Sequence, residues 1–316
     1  MIQTPICSLF GIEYPIFQGG MAWVADADLA AAVSRAGGLG IISAMNADAN
    51  YLAQEIDKCA AQAMGKPFGV NIMLMSPFAD DVAQVVIDKK VPVVTTGAGL
   101  PSKYMAAWIK AGIKVVPVVP STAIARRVEK LGACAVIAEG GEAGGHVGDL
   151  TTMTLVPQVA DAVSIPVIAA GGIGDGRGVA AAFMLGASGV QCGTRFLTAK
   201  ECNIHQNYKD RVLKAKDTDT MLTGKRLGHP VRALKSPFSR KLSDMEYDAS
   251  ISNEEIEALG AGSLRKAVKE GDEKAGSFMA GQAAALVKDE LTAGEIIIKL
   301  FKEAESCLGG ACKWVR

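Results

Sequence analysis

Two glycine-rich segments hold the groups best suited to grip a phosphate. Pro166-Val167-Ile168-Ala169-Ala170-Gly171-Gly172-Ile173-Gly174 and Gly189-Val190-Gln191-Cys192-Gly193-Thr194-Arg195 are short apolar runs that stop in glycine. Buried parallel strands end this way at a ligand-bearing edge. With no Cβ in the way, main-chain N–H groups approach an anion closely. An alanine-rich segment of helical size, Gly178 to Gly186, lies between the two runs. The result is a strand–helix–strand unit with adjacent exits. Thr194 either adds a hydroxyl to this cradle or is a plain strand-end residue. A phosphate-bearing cofactor or substrate is the expected ligand.

A third segment offers proton chemistry. Ala138-Glu139-Gly140-Gly141-Glu142-Ala143-Gly144-Gly145-His146-Val147-Gly148 follows another apolar run and presents one histidine and two carboxylates. An imidazole there can polarise a carbonyl or pass a proton near neutral pH. Its glycine setting favours that role for His146 over simple bonding to neighbours. His205 and His229 fall in a later, charged region and read as structural or surface residues. Glu139 either bonds a ring N–H of a ligand or pairs with a lysine inside the mouth. Asn71 and Gln18 are amides in apolar runs, so each bonds a ligand or ties down a neighbouring loop. Met73 and Met75 read as core. Met21 and Met279 are adaptable apolar surface that lines a pocket or packs in the core.

Positioning these groups requires a repeated scaffold, and the chain has one. Strand-like runs at 15–21, 39–45, 68–75, 91–96, 114–119 and 133–138 precede the two glycine-ended runs. Helix-like runs at 25–36, 49–64, 80–88, 103–111, 123–131 and 154–163 separate them, with Asp26 or Asp28 as a cap for the first. Eight such repeats at roughly 25-residue spacing predict a closed (β/α)8 TIM barrel, an α/β fold, over 1–199. An open doubly wound sheet would need Gly-x-Gly-x-x-Gly after the first strand, and Gln18-Gly19-Gly20-Met21 does not supply it. From 200 to 280 the chain is charged and helical, with little β signal, and reads as a lobe inserted after the eighth strand. Such a lobe is placed to cover a substrate. One long amphipathic helix from Gly281 to Glu305, within 281–316, then closes the barrel.

Composition narrows the partners. The 316 residues are 49% hydrophobic, enough for one large core and a smaller lobe. Lys+Arg and Asp+Glu balance at 33 each, so neither nucleic acid nor an anionic membrane is an expected partner. The seven cysteines are scattered; Cys59, Cys134 and Cys192 read as buried thiols, which suits a reducing cytosol. Cys307 and Cys312 flank Gly-Gly in what reads as a frayed tail, and no metal site is expected. No basic segment precedes an apolar one near residue 1, so a soluble, cytoplasmic protein is expected.

Taken together, Gln18–Met21, Gly69-Val70-Asn71, the Ala138–His146 loop, Ala169–Ile173 and Gln191–Arg195 resemble the nitronate monooxygenase superfamily of FMN barrels. Gly262-Ser263-Leu264-Arg265-Lys266-Ala267 and Gly276-Ser277-Phe278-Met279-Ala280-Gly281-Gln282 resemble the enoyl-acyl carrier protein reductase II family of bacterial fatty-acid synthesis. The resemblance covers essentially the whole chain. It implies FMN across the barrel mouth, its phosphate at Gly171, Gly172, Gly193 and Thr194, beside Ala170. It implies the ring near Gln18, Gly20, Met21, Asn71, Glu139, Gly145, Met279, Gly281 and Gln282. It further implies NADH or NADPH as hydride donor, a trans-2-enoyl thioester on acyl carrier protein as substrate, and His146 acting on the thioester carbonyl. That role agrees with the charge that hydride addition at Cβ builds on the carbonyl oxygen. The family's stimulation by monovalent cations points to the Met279–Gln282 turn. The basic stretch Arg226 to Lys241 either meets the acidic carrier or is a solvated face. A homodimer stays open. Nitronate oxidation on the same barrel is the alternative. An IMP dehydrogenase-like chemistry would need a cysteine in the His146 loop, which has none.

Overall fold

The apolar runs become the staves of a barrel. The computed structural model describes residues 2–44, 47–311 and 313. Its strands are β1 (Ile16–Gln18), β2 (Gly40–Ser43), β3 (Phe68–Met73), β4 (Val93–Gly97), β5 (Lys114–Val119) and β6 (Val136–Glu139). Then come β7 (Gly145–His146), β8 (Val167–Ala170), β9 (Gly189–Cys192), β10 (Thr220–Thr223) and β11 (Val231–Leu234). Eight of them pair in parallel, in the order β1-β9-β8-β6-β5-β4-β3-β2. The ring closes where Phe17 bridges Leu39, just ahead of β2. There the Gln18 N–H donates to Leu39 O at 3.0 Å and the Leu39 N–H to Ile16 O at 2.9 Å. The expected TIM barrel is therefore present, with most strands shorter than their apolar runs and β5 the same length.

Two layers of apolar side chains hold it. Phe17, Ile41, Val93, Val116, Ile137 and Ile168 meet inside the barrel. The sequence does not announce the short helix Pro5–Phe10, which supplies Ile6 and Phe10 to that interior cluster. Phe10 packs edge-on against Phe17, ring centroids 5.1 Å apart. The larger layer lies between strands and surrounding helices. Asp26 caps the helix Ala27–Arg35, accepting the Leu29 N–H at 3.1 Å, while Asp28 pairs with Lys58. That helix lies directly on β2, and a Cβ added to Gly40 would overlap the Ala30 carbonyl.

The lobe is mostly helical, as expected, but it also carries β structure that the sequence hides. β10 and β11 form an antiparallel pair, and β11 then pairs with β7 from the glycine loop of the barrel. These strands are only two to four residues long, too short for alternation to register. The single helix expected from Gly281 to Glu305 is also corrected. A 3-10 turn over Gln282–Leu286 gives way to extended chain, and the helix Ala293–Ala311 follows. Buried Arg195 pairs with Asp289, and buried Lys209 bonds Glu290 at 2.9 Å. These pairs hold residues 287–292 out of a helix, and Thr292 restarts one by accepting the Glu295 N–H at 3.2 Å. Cys307 lies inside this helix and not in the expected frayed tail. Cys312, and Met45 at the expected end of the second strand, lie outside the described residues. Among the described residues no helix is long and apolar enough to cross a membrane.

Because Gly40 faces backbone rather than a movable side chain, Gly40→Ala is expected to destabilise the fold by about 3 kcal/mol or more. Chemical denaturation of the purified variant checks this.

Candidate active site

The C-terminal ends of the barrel strands surround one cavity, of about 260 Å³, close to the lower limit of ordinary small-molecule sites (~300–1,000 Å³). The lobe forms part of its wall through Tyr208, Leu264 and Met279. Gly171 and Gly172 follow β8 with φ of +92° and +72°, the left-handed region that only glycine enters freely. Gly193 and Thr194 follow β9, and all four line the cavity. Among the described residues no protein acceptor takes their N–H groups. Thr194 Oγ1 is engaged separately, accepting the Gly281 N–H at 2.9 Å. Loop and lobe meet closely here. A Cβ on Gly144 would lie 2.6 Å from Gly281 N.

Several polar side chains on the wall also lack protein partners. Glu139, at the end of β6, is half-buried and bonds no protein group among the described residues. Burial alone pushes its carboxyl up to about 7. Of the two roles open to it, pairing with a lysine is not found among the described residues. Gln191 is buried, and its amide likewise bonds no protein group among them. Asn71 Oδ1 accepts the Thr95 hydroxyl at 2.9 Å, so part of this amide ties β3 to β4. Glu142 accepts from Thr152 N and Oγ1, both at 2.9 Å, and that hydroxyl lies 3.0 Å from Gly171 O. Thr152 thus joins the histidine loop to the phosphate-side turn. His146 lines the cavity yet stays accessible to solvent. Partial burial of its ring, and secondarily the charge of His229, hold its pKa below the usual histidine value. The imidazole is therefore neutral at neutral pH.

The structure gathers most of the expected site residues. Gly20, Met21, Asn71, Glu139, Gly145, His146, Ala170, Met279 and Gly281 all line this cavity, with the four phosphate-side residues. Gln18 and Gln282 do not. Gln18 is fully buried below the mouth, where its side chain bonds Gly19 O, Ile41 O and Ile41 N. Gln282 is exposed, and its main chain donates to Glu142 O at 2.9 Å. Met73, expected in the core, lines the cavity two residues along β3 from Asn71, and Met75 is 60% exposed beyond the strand end. Gln191 and Tyr208 went unassigned in the sequence. Gln191 had the same signal as Asn71, an amide in an apolar strand. Tyr208 had none, because a lobe helix brings it in. Cys192 also lines the cavity, with burial pushing its thiol up to about 12.

The family model for nitronate monooxygenase matches residues 3–86 and 77–303. This chain belongs to the nitronate monooxygenase family. FabK from Thermotoga maritima is 49% identical with a TM-score of 0.97, and the match covers 100% of both chains. A probable nitronate monooxygenase of Staphylococcus saprophyticus is 33% identical across 97% of this chain and 99% of its own length. A hydroxy-methyl-oxo-octahydroindene-carboxyl-CoA dehydrogenase of Mycobacterium tuberculosis is 41% identical over 76% of this chain and 68% of its own. The nitronate monooxygenase family consists of FMN-dependent flavoproteins, and the chain is an oxidoreductase of this family.

The residues present fit FMN. The unpaired amides at Gly171, Gly172, Gly193 and Thr194 suit a phosphate. The unpartnered Glu139 and Gln191 suit the polar edges of a flavin ring.

A carboxyl whose pKa is higher folded than unfolded favours the fold at low pH and loses that contribution as pH rises from 4.5 toward 7. In flavin-free protein, Glu139→Gln should therefore be more stable than the parent at pH 8, by at most about 3 kcal/mol, and no more stable at pH 4. Thermal melts across this range read the difference.

Proposed function

We propose that this protein reduces the double bond of a trans-2-enoyl thioester carried on acyl carrier protein, using FMN and NADH or NADPH. The supporting observation is the FabK likeness. FabK, an enoyl-acyl carrier protein reductase II, matches the full chain, lobe included, at 49% identity. The lobe is the part that walls the cavity outside the barrel, so it is the part that selects a substrate.

When bound, FMN supplies the two-electron exchange between a nicotinamide and the conjugated double bond. The amides of Gly171, Gly172, Gly193 and Thr194 hold its phosphate, and Asn71, Glu139 and Gln191 orient its ring. Met21, Leu264 and Met279 keep water from the reacting atoms. Saturating the double bond builds negative charge on the thioester oxygen. His146, neutral and at the rim, donates an N–H to that oxygen and stands where a proton can pass to Cα. The glycine loop keeps side chains away from the approach. Lys235, Arg240 and Lys241 stay exposed on the lobe and suit an acidic carrier protein. Arg226 and Arg232 do not serve there, because both are spent on main-chain carbonyls of the protein itself.

A second reading, nitronate oxidation, is favoured by the name of the Staphylococcus relative. Anaerobic mixing with each nicotinamide separates the two. Enoyl reduction predicts bleaching of the flavin band by NADH or NADPH and its return on adding crotonyl thioester. No bleaching, together with fast oxygen uptake on a nitronate, would favour the second reading. His146→Ala should keep flavin bound and slow thioester reduction by about 10²-fold or more. Unchanged turnover would remove His146 from the chemistry.

A further inference from the structure

His146 has a neighbour of its own kind. Val231 stands directly opposite His146 where β11 pairs with β7. His229 precedes Val231 by two residues, just outside β11, and its charge acts on the His146 ring. Diagonal neighbours of this kind sit roughly 7–8 Å apart, within reach of long or ring side chains. The pairing runs on past the strand, with the Val147 N–H donating to Pro230 O at 3.1 Å. The His229 N–H donates to Gly224 O at 3.1 Å, and the Gly224 N–H to the Glu246 carboxylate. A closed hairpin therefore fixes the backbone that presents His229. His146 lines the cavity, whereas His229 is exposed and outside it. Neither ring bonds a protein group among the described residues.

The other ionisable groups packed around this strand are already engaged, with two exceptions, Glu139 and Lys225. Arg232 donates to Gly141 O and Thr220 Oγ1, and Glu142 accepts from Thr152. Tyr208 donates to Met279 O, and Arg226 to Asp248 O and Ile251 O. Glu139 lies on the cavity wall. Lys225, exposed in the hairpin, completes the set.

We propose that His229 is a positioning residue for His146, which limits the pair to one proton and relays that proton from solvent to the ring that meets the substrate. This rests on the enoyl reductase reading. Each reduction adds hydride to Cβ and consumes one proton at Cα. The pair's one proton passes from the His229 ring to the neutral His146, and the N–H bond so formed breaks as the Cα–H bond forms, its electron pair staying on nitrogen. Solvent then returns one proton to His229. No further oxidant or reductant is required. Two imidazolium charges this close repel, so a proton on one ring disfavours a proton on the other. Burial chiefly, and the His229 charge secondarily, lower the pKa of His146.

Histidine-ring NMR titration of the flavin-loaded protein tests the pair, and with three histidines the signals are few. His229→Gln should move the His146 midpoint upward, and His146→Gln should move the His229 midpoint upward equally. His229→Gln should also lower kcat for enoyl reduction about tenfold with KM kept, shift its pH profile, and be rescued by imidazole buffer. Independent midpoints in both variants would overturn the proposal, as would coupled midpoints with unchanged kcat and pH profile. If the parent protein reduces no enoyl thioester, the reaction reading fails and the relay fails with it. Reciprocal midpoint shifts would then still establish the histidine pair as a physical unit.

Discussion

Main-chain amides without an acceptor are what this structure must organise around. Burying such a group unpaired costs free energy on the scale of a lost hydrogen bond. The turns after β8 and β9 set several of them on one cavity wall, at Gly171, Gly172, Gly193 and Thr194. The positive φ at Gly171 and Gly172 maintains that arrangement, and alanine in either place would be strained. The rest of the barrel provides stiffness. Ile6 and Phe10 join the cluster that fills its interior. In the proposed reading a phosphate is the acceptor for these open amides, which links the fold to the flavoprotein family it belongs to.

The lobe reaches the same wall through polar contacts with the barrel. Arg195 and Lys209, both buried, take Asp289 and Glu290, while β11 takes up β7 from the glycine loop. Arg232 then donates to Gly141 O at 3.0 Å, inside that loop. His146 therefore depends on the lobe for its position and on the barrel for its neighbours. Removing one partner of either buried ion pair would leave an uncompensated charge, a costlier change than losing an exposed pair. Site geometry and lobe docking are one mechanical problem here.

Much of this was legible in the residues, for definable reasons. A barrel strand buried on both faces reads as an uncharged run, and its ligand-bearing end reads as glycine. That is why Val167–Ala170 and Gly189–Cys192 stood out. His146 was legible because glycines surround it. What stayed hidden depends on contacts far apart in sequence. Residues 287–292 keep an amphipathic pattern, yet two buried cations 94 and 81 residues upstream of their partners pull them straight. Strands as short as Thr220–Thr223 carry too few residues for a period to appear. Gln18 and Gln191 are the same residue type at adjacent strand ends. Only the register, Gln18 opposite Cys192, reveals that one bonds Ile41 while the other faces the cavity.

The phosphate grip is the claim on which the functional account stands, and one binding comparison tests it. Flavin-free protein is titrated with FMN and with riboflavin, which differ only in the phosphate, and the same pair is repeated on Gly172→Ala. The account predicts FMN binding at least ~100-fold tighter than riboflavin in the parent, consistent with two or more charge-assisted hydrogen bonds, and a much smaller gap in the variant. Equal affinity of the parent for the two flavins would contradict it.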